Sequence, residues 1–548
     1  MTRSHPDLIL HSGQVKTPSG WSQAMSVTRG VIDRVGRDED VLPDRGPGTQ
    51  VIDLAGDVVL PGLHDLHVHP IYAGIRQRRC RIPQGSNLDE TLRIVKAYAE
   101  GVQPGEWVLG GQWDAYALGC VPNRTMLDSV APDVPVHLED TSGHSSWANS
   151  AALAMAGISA STPDPEGGIF ERDANGEPTG IQRENAAYLL AEAAPKPTGT
   201  DVESALAWSL EEMLSFGITS FTEAALGFTA GSRTEMAAYA ALARRGELKQ
   251  RVRVCTTWTP DDPESNEVIE RRNFHAYGRL VPDGVKIFLD GVPTDGHTAA
   301  MLEPYADTVE GRDDHAGRHG MLQIPAEVLN EAVIRFDRMG LTVKFHAAGD
   351  AAVRAALDAI GAARERNGFG PQMHNVGHCT FVAKADIERA SRIGATFEVS
   401  PYLWRPAPIC SDIASAVGPE TVGRVWPIRE MLDARALVVP GSDWSVVPSV
   451  NPWAAIESLV TRQEPGGSSE SFGESQAITL QEALDIFTVN AARQEGAVDR
   501  VGAIEPGLLA DVIVVDQNPF DVPITRVHAT EVQLTIIEGE IVFSRRPA

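Results

Sequence analysis

The residues of this chain best suited to chemistry are the histidines of Leu-His-Asp-Leu-His-Val-His at 63–69. The motif follows an apolar run at 58–60, and together they predict one buried strand. Side chains two residues apart point to the same face of a strand, so His67 and His69 can direct two imidazoles at one metal ion. Imidazole is the usual neutral ligand for zinc and similar ions. Taken alone, the pair leaves ordinary packed or surface histidines equally open.

Further candidate ligands come where later predicted strands end, namely Lys286, His346, His378 and Asp443. The predicted strands are 58–69, 218–223, 252–258, 285–290, 341–346, 375–379, 395–399 and 436–443. They alternate with helical stretches, which indicates an α/β protein with a parallel sheet, and their number favours a closed (β/α)8 TIM-type barrel. Active sites of such barrels lie at the C-terminal ends of the strands. Every candidate ligand falls at or near such an end, and this agreement is the strongest argument from the sequence.

Short β-rich runs separated by turn residues make up both ends of the chain, at 1–59 and 505–548. Neither end is long enough for a comfortable core of its own. We therefore predict one small β-sandwich built from both termini, with two independent hairpin caps as the alternative. The barrel would occupy 60–504. The interval after its first strand, roughly 70–217, is too long for a βα connection and predicts an insertion domain over the barrel mouth.

The composition of the 548 residues is that of an ordinary globular protein, with 43% hydrophobic and 22% charged residues. The formal net charge of −27 argues against a nucleic-acid or anionic-membrane partner. Five widely separated cysteines argue against a disulfide framework and for a reducing compartment. The first residues lack an apolar signal core, and no apolar run is long enough to span a membrane. We therefore expect a cytoplasmic protein that binds a small molecule.

Longer motifs extend this pattern along nearly the whole chain. They are Gly-Val-Lys-Ile-Phe-Leu-Asp-Gly (284–291), Phe-His-Ala-Ala-Gly-Asp (345–350), Thr-Ser-Gly-His-Ser-Ser-Trp-Ala-Asn-Ser-Ala-Ala-Leu (141–153), Gly-Ser-Asp-Trp (441–444), Gly-Glu-Pro-Thr-Gly-Ile-Gln-Arg-Glu (176–184) and Glu-Pro-Gly-Leu-Leu-Ala-Asp-Val-Ile-Val-Val-Asp (505–516). In this order they resemble the amidohydrolase superfamily, and within it the YtcJ-like branch that includes formamide deformylases. The resemblance implies the sandwich and barrel described above. It also implies metal-dependent hydrolysis, often of amide-type bonds.

The resemblance also implies a role for each candidate metal ligand. His67 and His69 would hold one divalent ion, and His346 and His378 would hold a second. Lys286 would bridge both ions as a carbamate formed with carbon dioxide. The expected cofactor is one or two ions, with Zn²⁺ as the first choice.

An unmodified lysine cannot serve as such a bridge, because an ammonium group has no lone pair to offer a cation. The alternative for Lys286 is therefore a lysine that pairs with Asp290 or Asp295.

Asp443 would bind the first ion, accept a proton from the metal-activated water and then protonate the leaving amine. It is thus predicted to be both a ligand and the proton shuttle.

Weaker predictions concern the substrate. The resemblance suggests that His144, in the insertion, reaches into the site as a second catalytic residue that contacts the substrate or its oxyanion. Aromatic residues that follow motifs or strand ends are candidates to line a pocket, and two acids are candidate polar contacts. The alternative for each is an ordinary core or loop residue. These substrate-contact candidates are Trp113, Tyr402, Trp404, Trp444, Glu184 and Asp295.

We therefore predict a metal-dependent hydrolase that cleaves an amide-type or formamide-type C–N bond in a small, mostly neutral substrate. An ester, lactone or carbamate hydrolase stays open because one metal centre can serve all of these bonds. A non-catalytic metal-bound binder of small molecules is the other class, and it has no need for a base such as Asp443. A homo-oligomer, for example a dimer, also stays open.

Overall fold

An eight-stranded parallel sheet forms the centre of the molecule. The computed structural model describes residues 5–83, 85–103, 105–141, 143–165, 167–294, 297–306, 318–400 and 408–546. We number the strands of this sheet β1 to β8 in chain order. Their bounds are Leu63–Val68, Ile218–Leu226, Arg251–Thr257, Leu280–Phe288, Thr342–Ala347, Asn375–His378, Thr396–Val399 and Leu437–Pro440. Each strand pairs with its neighbours in the numbering, so the predicted barrel is confirmed.

Helices connect these strands. The main ones are Pro70–Gln77, Gly199–Ser215, Ser232–Arg245, Pro263–Arg271, Ala326–Arg338, Asp350–Asn367, Lys384–Ile393, Ile428–Asp433 and Pro452–Thr461. The helix Ala326–Arg338 shows why they form, because it buries Leu329, Val333 and Phe336 along one face at the spacing of an amphipathic helix. Among the described residues, no helix has the length and hydropathy that a membrane crossing requires.

The barrel closes where the end of β1 meets the segment after β8. The backbone N–H of Asp443 donates to the carbonyl oxygen of His67 at 2.7 Å, and that of His69 donates to Trp444 at 2.7 Å. A parallel bridge between Val68 and Trp444 completes the junction. The hydrogen bonds that close the barrel therefore fix the backbone of three predicted metal ligands.

Strands from both ends of the chain form two further sheets. One has the order Val31–Gly36, Ala24–Thr28, Leu8–His11, Gln50–Asp53, and the other the order Glu540–Ser544, Val532–Ile537, Val512–Val515, Val58–Pro61, Gln14–Thr17, Gly20–Ser22. Side chains of both sheets, such as Leu10, Met25, Val59 and Val512, share one core. This is the single sandwich expected from the sequence, whereas independent hairpin caps would not share a core. The domain boundaries at 59/60 and 504/505 stay predictions.

The single strand predicted at 58–69 is wrong, because two strands occupy this stretch. Val58–Pro61 pairs with Val512–Val515 in the sandwich, whereas Leu63–Val68 belongs to the barrel. The chain crosses between them at Gly62, where a Cβ atom would lie only 2.3 Å from Oγ1 of Thr219. Both strands are buried, and Pro61-Gly62 was the sequence signal that the first strand ends there.

The residues between β1 and β2 contain a separate six-stranded sheet. Its order is Gly168–Arg172, Pro178–Glu184, Ser145–Ala148, Val136–Asp140, Val108–Trp113, Cys80–Arg81. The accompanying helices include Leu88–Ala99, Arg124–Asp128, Ser150–Met155 and Asn185–Ala193. Its core is built around Trp113 and Trp147, whose rings meet edge-on with centroids 6.1 Å apart. A core of its own explains how so long an insertion stays ordered.

Candidate metal centre

Three predicted ligands meet at the C-terminal mouth of the barrel. His67 is the penultimate residue of β1, His69 follows that strand, and Asp443 comes after β8. One ligand atom from each lies within 4.8 Å of the others. Oδ1 of Asp443 is 3.2 Å from Nε2 of His69 and 3.7 Å from Nε2 of His67. Little water reaches these groups to screen them, so their mutual interactions are strong. Two imidazoles and a carboxylate are a donor set that suits zinc and similar divalent ions.

The other three predicted ligands border the same cavity. Nζ of Lys286 on β4 lies 3.4 Å from Nε2 of His67. The ring of His378 at the end of β6 is 4.8 Å from that of His67 and 4.3 Å from that of His346 on β5. Nε2 of His346 is 3.1 Å from the carbonyl oxygen of Gly291 and donates to it, which leaves Nδ1 as the atom able to bind a metal. The structure therefore brings all predicted ligands together, and their individual roles stay predictions.

The donor atoms of the cavity fit a divalent cation. Nε2 of His378 is buried and has no hydrogen-bond partner among the described residues, which is rare for a polar atom inside a protein. Nε2 of His67 and Nε2 of His69 face the carboxylate of Asp443. Two histidine nitrogens face one carboxylate, and a third histidine nitrogen nearby has no hydrogen-bond partner among the described residues. This arrangement is consistent with a bound cation in the working enzyme.

Burial and charge move the pKa values of these ligands in different directions. Burial lowers the pKa of His378 to about 4, and burial together with Lys286 lowers that of His67 well below its usual range. For His69, burial acts in the same direction, but the adjacent carboxylates of Asp443 and Glu223 prevail and raise its pKa to about 9. A metal ion must therefore displace a proton from His69, so we expect metal binding to weaken at low pH.

The pKa of Asp443 is shifted the other way. Burial favours the neutral acid, but the hydrogen bond with His69 and the nearby His378 and His67 outweigh it and hold the pKa of Asp443 far below its usual range. Asp443 is therefore an ionised carboxylate at neutral pH. An ionised carboxylate can bind a cation and can also accept a proton.

Several residues of the site have an unusual backbone conformation. The φ angles of Asp443, His378 and Glu184 are 58°, 71° and 50°. Residues other than glycine rarely adopt this left-handed region, and each instance costs on the order of 1–3 kcal/mol. Such conformations persist where the surroundings force them, and they are typical of functional sites.

The insertion contributes His144 to the cavity, and Glu184 contacts that histidine. Nδ1 of His144 lies 2.8 Å from Oε2 of Glu184, and Oε1 of Glu184 accepts a hydrogen bond from Thr298 at 2.6 Å. The ring of His144 is 5.5 Å from that of His346. Burial disfavours the charged imidazole, but Glu184 overcomes this and raises the pKa of His144 to about 9. His144 is therefore a protonated imidazole at the cavity, and the carboxylate of Glu184 balances its charge.

The cavity between these groups has a volume of about 60 Å³ and one aromatic wall. This wall consists of Tyr72, Tyr188 and Phe228, and both tyrosine rings meet Phe228 edge-on at centroid distances of 5.4 and 5.9 Å. Phe228 is 38% exposed, so its ring lies at the entrance. The site thus has a polar side with the candidate ligands and an apolar side.

Three of the predicted substrate contacts, Trp113, Trp444 and Glu184, are not among the residues that line this cavity. Trp113 is 2% exposed within the insertion core, where its indole N–H donates to the carbonyl oxygen of Leu138. Trp444 contacts Trp208 at a centroid distance of 5.8 Å and lines a different cavity of about 260 Å³. Neither indole therefore borders the space beside the candidate ligands, and a substrate contact of either stays a prediction. Asp295, Tyr402 and Trp404 lie outside the described residues.

Sequence reasoning missed two buried carboxylates next to the ligands. Oε1 of Glu223 on β2 is 3.5 Å from Nδ1 of His69, and Oε2 of Glu398 on β7 is 2.5 Å from Nδ1 of His67. Each lies within a buried strand, where a charged side chain is costly unless it has a partner. A glutamate inside such a strand was therefore a sequence signal from which both residues could have been found. The aromatic wall offered none, because aromatic residues are as common in cores as in pockets.

Known proteins resemble this chain in both sequence and structure. The family model described as "Amidohydrolase family" matches residues 50–543. Putative amidohydrolase YtcJ of Bacillus subtilis (strain 168) is 29% identical over 548 residues, covering 98% of this chain and 99% of that protein. N-substituted formamide deformylase of Arthrobacter pascens is 28% identical over 560 residues, covering 98% of each. An uncharacterized metal-dependent hydrolase of Pyrococcus horikoshii OT3 shares the fold, with a TM-score of 0.74 at 24% identity over 94% of this chain and 99% of that one.

Proposed function

Because this chain belongs to the amidohydrolase family and is accordingly a metal-dependent hydrolase, we propose that it cleaves an amide-type or formamide-type C–N bond in a small, mostly neutral substrate. The observation that carries the proposal is the compact group of His67, His69 and Asp443, in which a potential base already stands beside two metal ligands. The name of the similar deformylase places its own action on N-substituted formamides. This likeness supports the choice of bond.

We propose Zn²⁺ as the metal, with His67, His69 and Asp443 around one ion and His346 and His378 around a second. A divalent ion bound there would lower the pKa of a water molecule and polarise the carbonyl group of the substrate. The buried, unpartnered Nε2 of His378 supports a ligand role for that residue.

Lys286 is proposed to carry a carboxylate group. Burial and the neighbouring Lys344 lower the pKa of Lys286 to about 8, so a larger fraction of its amine is neutral at physiological pH. The neutral amine is the form whose lone pair attacks carbon dioxide, and the nitrogen then loses a proton to give the carbamate. The environment of Lys286 therefore favours the modification.

The protein side chains would divide the proton transfers between them. Asp443 accepts a proton from water and later donates it to the leaving nitrogen. Oδ1 of Asp443 lies 3.2 Å from Nε2 of His69, so the proposed base stands beside a proposed metal ligand. His144, kept protonated by Glu184, would donate to the carbonyl oxygen on which negative charge develops.

The shape of the cavity supports an uncharged substrate with an apolar substituent. The space beside the candidate ligands is small, about 60 Å³, which suits a short acyl or formyl group. An aryl or alkyl substituent on nitrogen would then pack against Tyr72, Tyr188 and Phe228. No charged side chain belongs to that wall.

The proposal is tested by combining metal analysis with a panel of matched substrates. The panel contains an N-formyl, an N-acyl, an ester and a lactone compound that share one aryl group. A chelator should abolish turnover, Zn²⁺ should restore it, and the formyl or acyl amine should be hydrolysed fastest. Full activity of a verified metal-free preparation would contradict the metal site, and faster ester or lactone cleavage would replace the C–N assignment.

A histidine pair provides a matched control for that experiment. His67→Ala should lose metal and activity while the barrel stays folded, since a ligand at a strand end buries little apolar surface compared with a core residue. His528→Ala removes a histidine that also pairs with a carboxylate, Glu457 at 2.8 Å, but lies outside the cavity. It should keep both metal and activity.

A further inference from the structure

We infer that Glu398 is a positioning residue for the metal centre, because it holds the ring of His67 from the side opposite the ligand atoms. The inference rests on the proposed metal site. Glu398 on β7 is fully buried, and its Oε2 lies 2.5 Å from Nδ1 of His67. The other nitrogen of the same ring, Nε2, lies 3.7 Å from Oδ1 of Asp443. One edge of the imidazole therefore meets a carboxylate and the other edge meets the ligand group.

This hydrogen bond decides which nitrogen of His67 can bind a cation. A neutral imidazole has one N–H donor and one nitrogen with a free lone pair. An ionised carboxylate can only accept, so the bond to Glu398 places the hydrogen on Nδ1 and the lone pair on Nε2. The lone pair then faces the cavity. Carboxylates that orient metal-binding histidines in this way raise the affinity for the metal.

A second buried side chain holds Glu398 itself. Nζ of Lys344 on β5 lies 2.9 Å from the same Oε2 of Glu398, and 3.1 Å from Oδ1 of Asn375 on β6. Lys344 is 2% exposed. A buried carboxylate without a cation beside it would be strongly unfavourable, and Lys344 is the cation that lies beside Glu398. Lys344 on β5, itself held by Asn375 on β6, thus fixes the carboxylate of Glu398 on β7.

Two glycines make room for this carboxylate. A Cβ atom at Gly377 would lie 2.8 Å from Oε2 of Glu398. A Cβ atom at Gly441 would lie 2.6 Å from Oε1 of Glu398 and 2.4 Å from Cβ of His67. Any larger residue at either position would displace the Glu398–His67 pair. The space that the pair needs therefore explains why Gly441, the first residue of the Gly-Ser-Asp-Trp motif, is a glycine.

A structural role alone would not explain why the carboxylate meets a ligand, and the chain offers a matched control. Glu457 is also fully buried, and its Oε2 lies 2.8 Å from Nδ1 of His528. That histidine is outside the candidate ligand group. Glu457→Gln therefore removes a buried carboxylate from a histidine without touching the cavity.

The test is a calorimetric titration of metal-free protein with Zn²⁺, with thermal unfolding of the same apo samples recorded alongside. Glu398→Gln keeps the size of the side chain but removes its charge, so Zn²⁺ should bind about 10–100-fold more weakly, as found for other orienting partners of metal ligands. Glu457→Gln should bind Zn²⁺ as the wild type does, even where its unfolding temperature falls. Wild-type affinity in folded Glu398→Gln would overturn the inference.

Two further measurements keep the outcomes distinct. Glu398→Asp retains the charge that Lys344 needs but withdraws the carboxylate from His67. It should weaken Zn²⁺ binding even where Glu398→Gln fails to fold, and unchanged affinity in Glu398→Asp would also overturn the inference. A wild-type protein that binds no Zn²⁺ at all would instead contradict the metal site of the proposed function.

Discussion

The chemical state of each ionisable side chain in the cavity is decided by the neighbours that the barrel gives it. Burial alone would leave Asp443 neutral, but the adjacent histidines keep it ionised. The same burial lowers the pKa of Lys286 to about 8. Glu184 keeps His144 charged against the cost of burial. An anionic base, an amine that is partly neutral and a cationic donor therefore share one small site.

Lys286→Ala should abolish turnover, because the proposed carbamate would be lost. Short carboxylic acids such as acetate or propionate should restore part of the activity by supplying a carboxylate in the vacated space. Lys286→Arg should not be rescued, since a guanidinium is always protonated and forms no carbamate. Rates are measured with increasing acid, and the wild type with the same acids is the control. Substantial activity of Lys286→Ala without added acid would contradict the bridging role.

Asp443→Asn should lower kcat by a factor of ~10²–10⁴, the usual contribution of general acid–base catalysis. The amide keeps the shape and an oxygen for the metal, but it cannot accept a proton at neutral pH. The acidic limb of the kcat/KM profile should persist, because the pKa of Asp443 lies far below its usual range and the limb reflects metal loss instead, while the Zn²⁺ content measured by elemental analysis stays near that of the wild type. Near-normal turnover would place the base elsewhere, with His144 as the next candidate.

The strands and helices were more predictable than the contacts between them. A strand of a parallel barrel is buried on both faces, so its sequence is a short apolar run, and β8 at Leu437–Pro440 is an example. His67 and His69 were found because their spacing follows the strand period. Phe228 and Glu398 were not, because their positions near the ligands depend on which elements meet in space. Trp113 failed for the same reason, since a local motif cannot tell a pocket wall from a core.

The turn between the last two strands of the sandwich fastens that domain to the barrel. Glu538 lies 2.6 Å from Arg251 on β3 and 2.8 Å from Arg279 just before β4. The hydrogen bond from Arg279, helped by Arg251 and opposed by partial burial, lowers the pKa of Glu538 from 4.5 to about 2. A carboxyl whose pKa is depressed by folding stabilises the protein above its unfolded pKa, and this contribution is lost as the pH falls through the folded pKa.

Glu538→Gln should therefore lower the free energy of unfolding by about 1 kcal/mol at neutral pH, a value kept small because the pair is partly exposed to solvent. The difference from the wild type should shrink as the pH is lowered from 4.5 toward 2, the window between the two pKa values. Denaturant titrations across this range provide the measurement. Glu540→Gln, which removes a more exposed partner of Lys249, should have a smaller effect. A difference that stays constant with pH would exclude the ion pair as its cause.

The molecule as a whole combines a net charge of −27 with a cavity that is bordered by the protonated imidazole of His144. A long-range negative potential slows the approach of anions, and salt screens it over about 10 Å at 0.1 M. Selection against anionic substrates should therefore take place largely before they reach the cavity.

Two aryl formamides that differ in one remote group, neutral in one and phosphorylated in the other, test this selection. The kcat/KM of the neutral compound should exceed that of the phosphorylated one and should change little with ionic strength. That of the phosphorylated compound should rise as salt is added, because screening removes the repulsion before it alters contacts inside the buried site. A neutral salt of different composition at equal ionic strength separates screening from specific ion binding. Equal and salt-independent values of kcat/KM for both compounds would show that the surface charge plays no part. Efficient cleavage of a phosphoester, without activity on any neutral carbonyl compound, would overturn the substrate class itself.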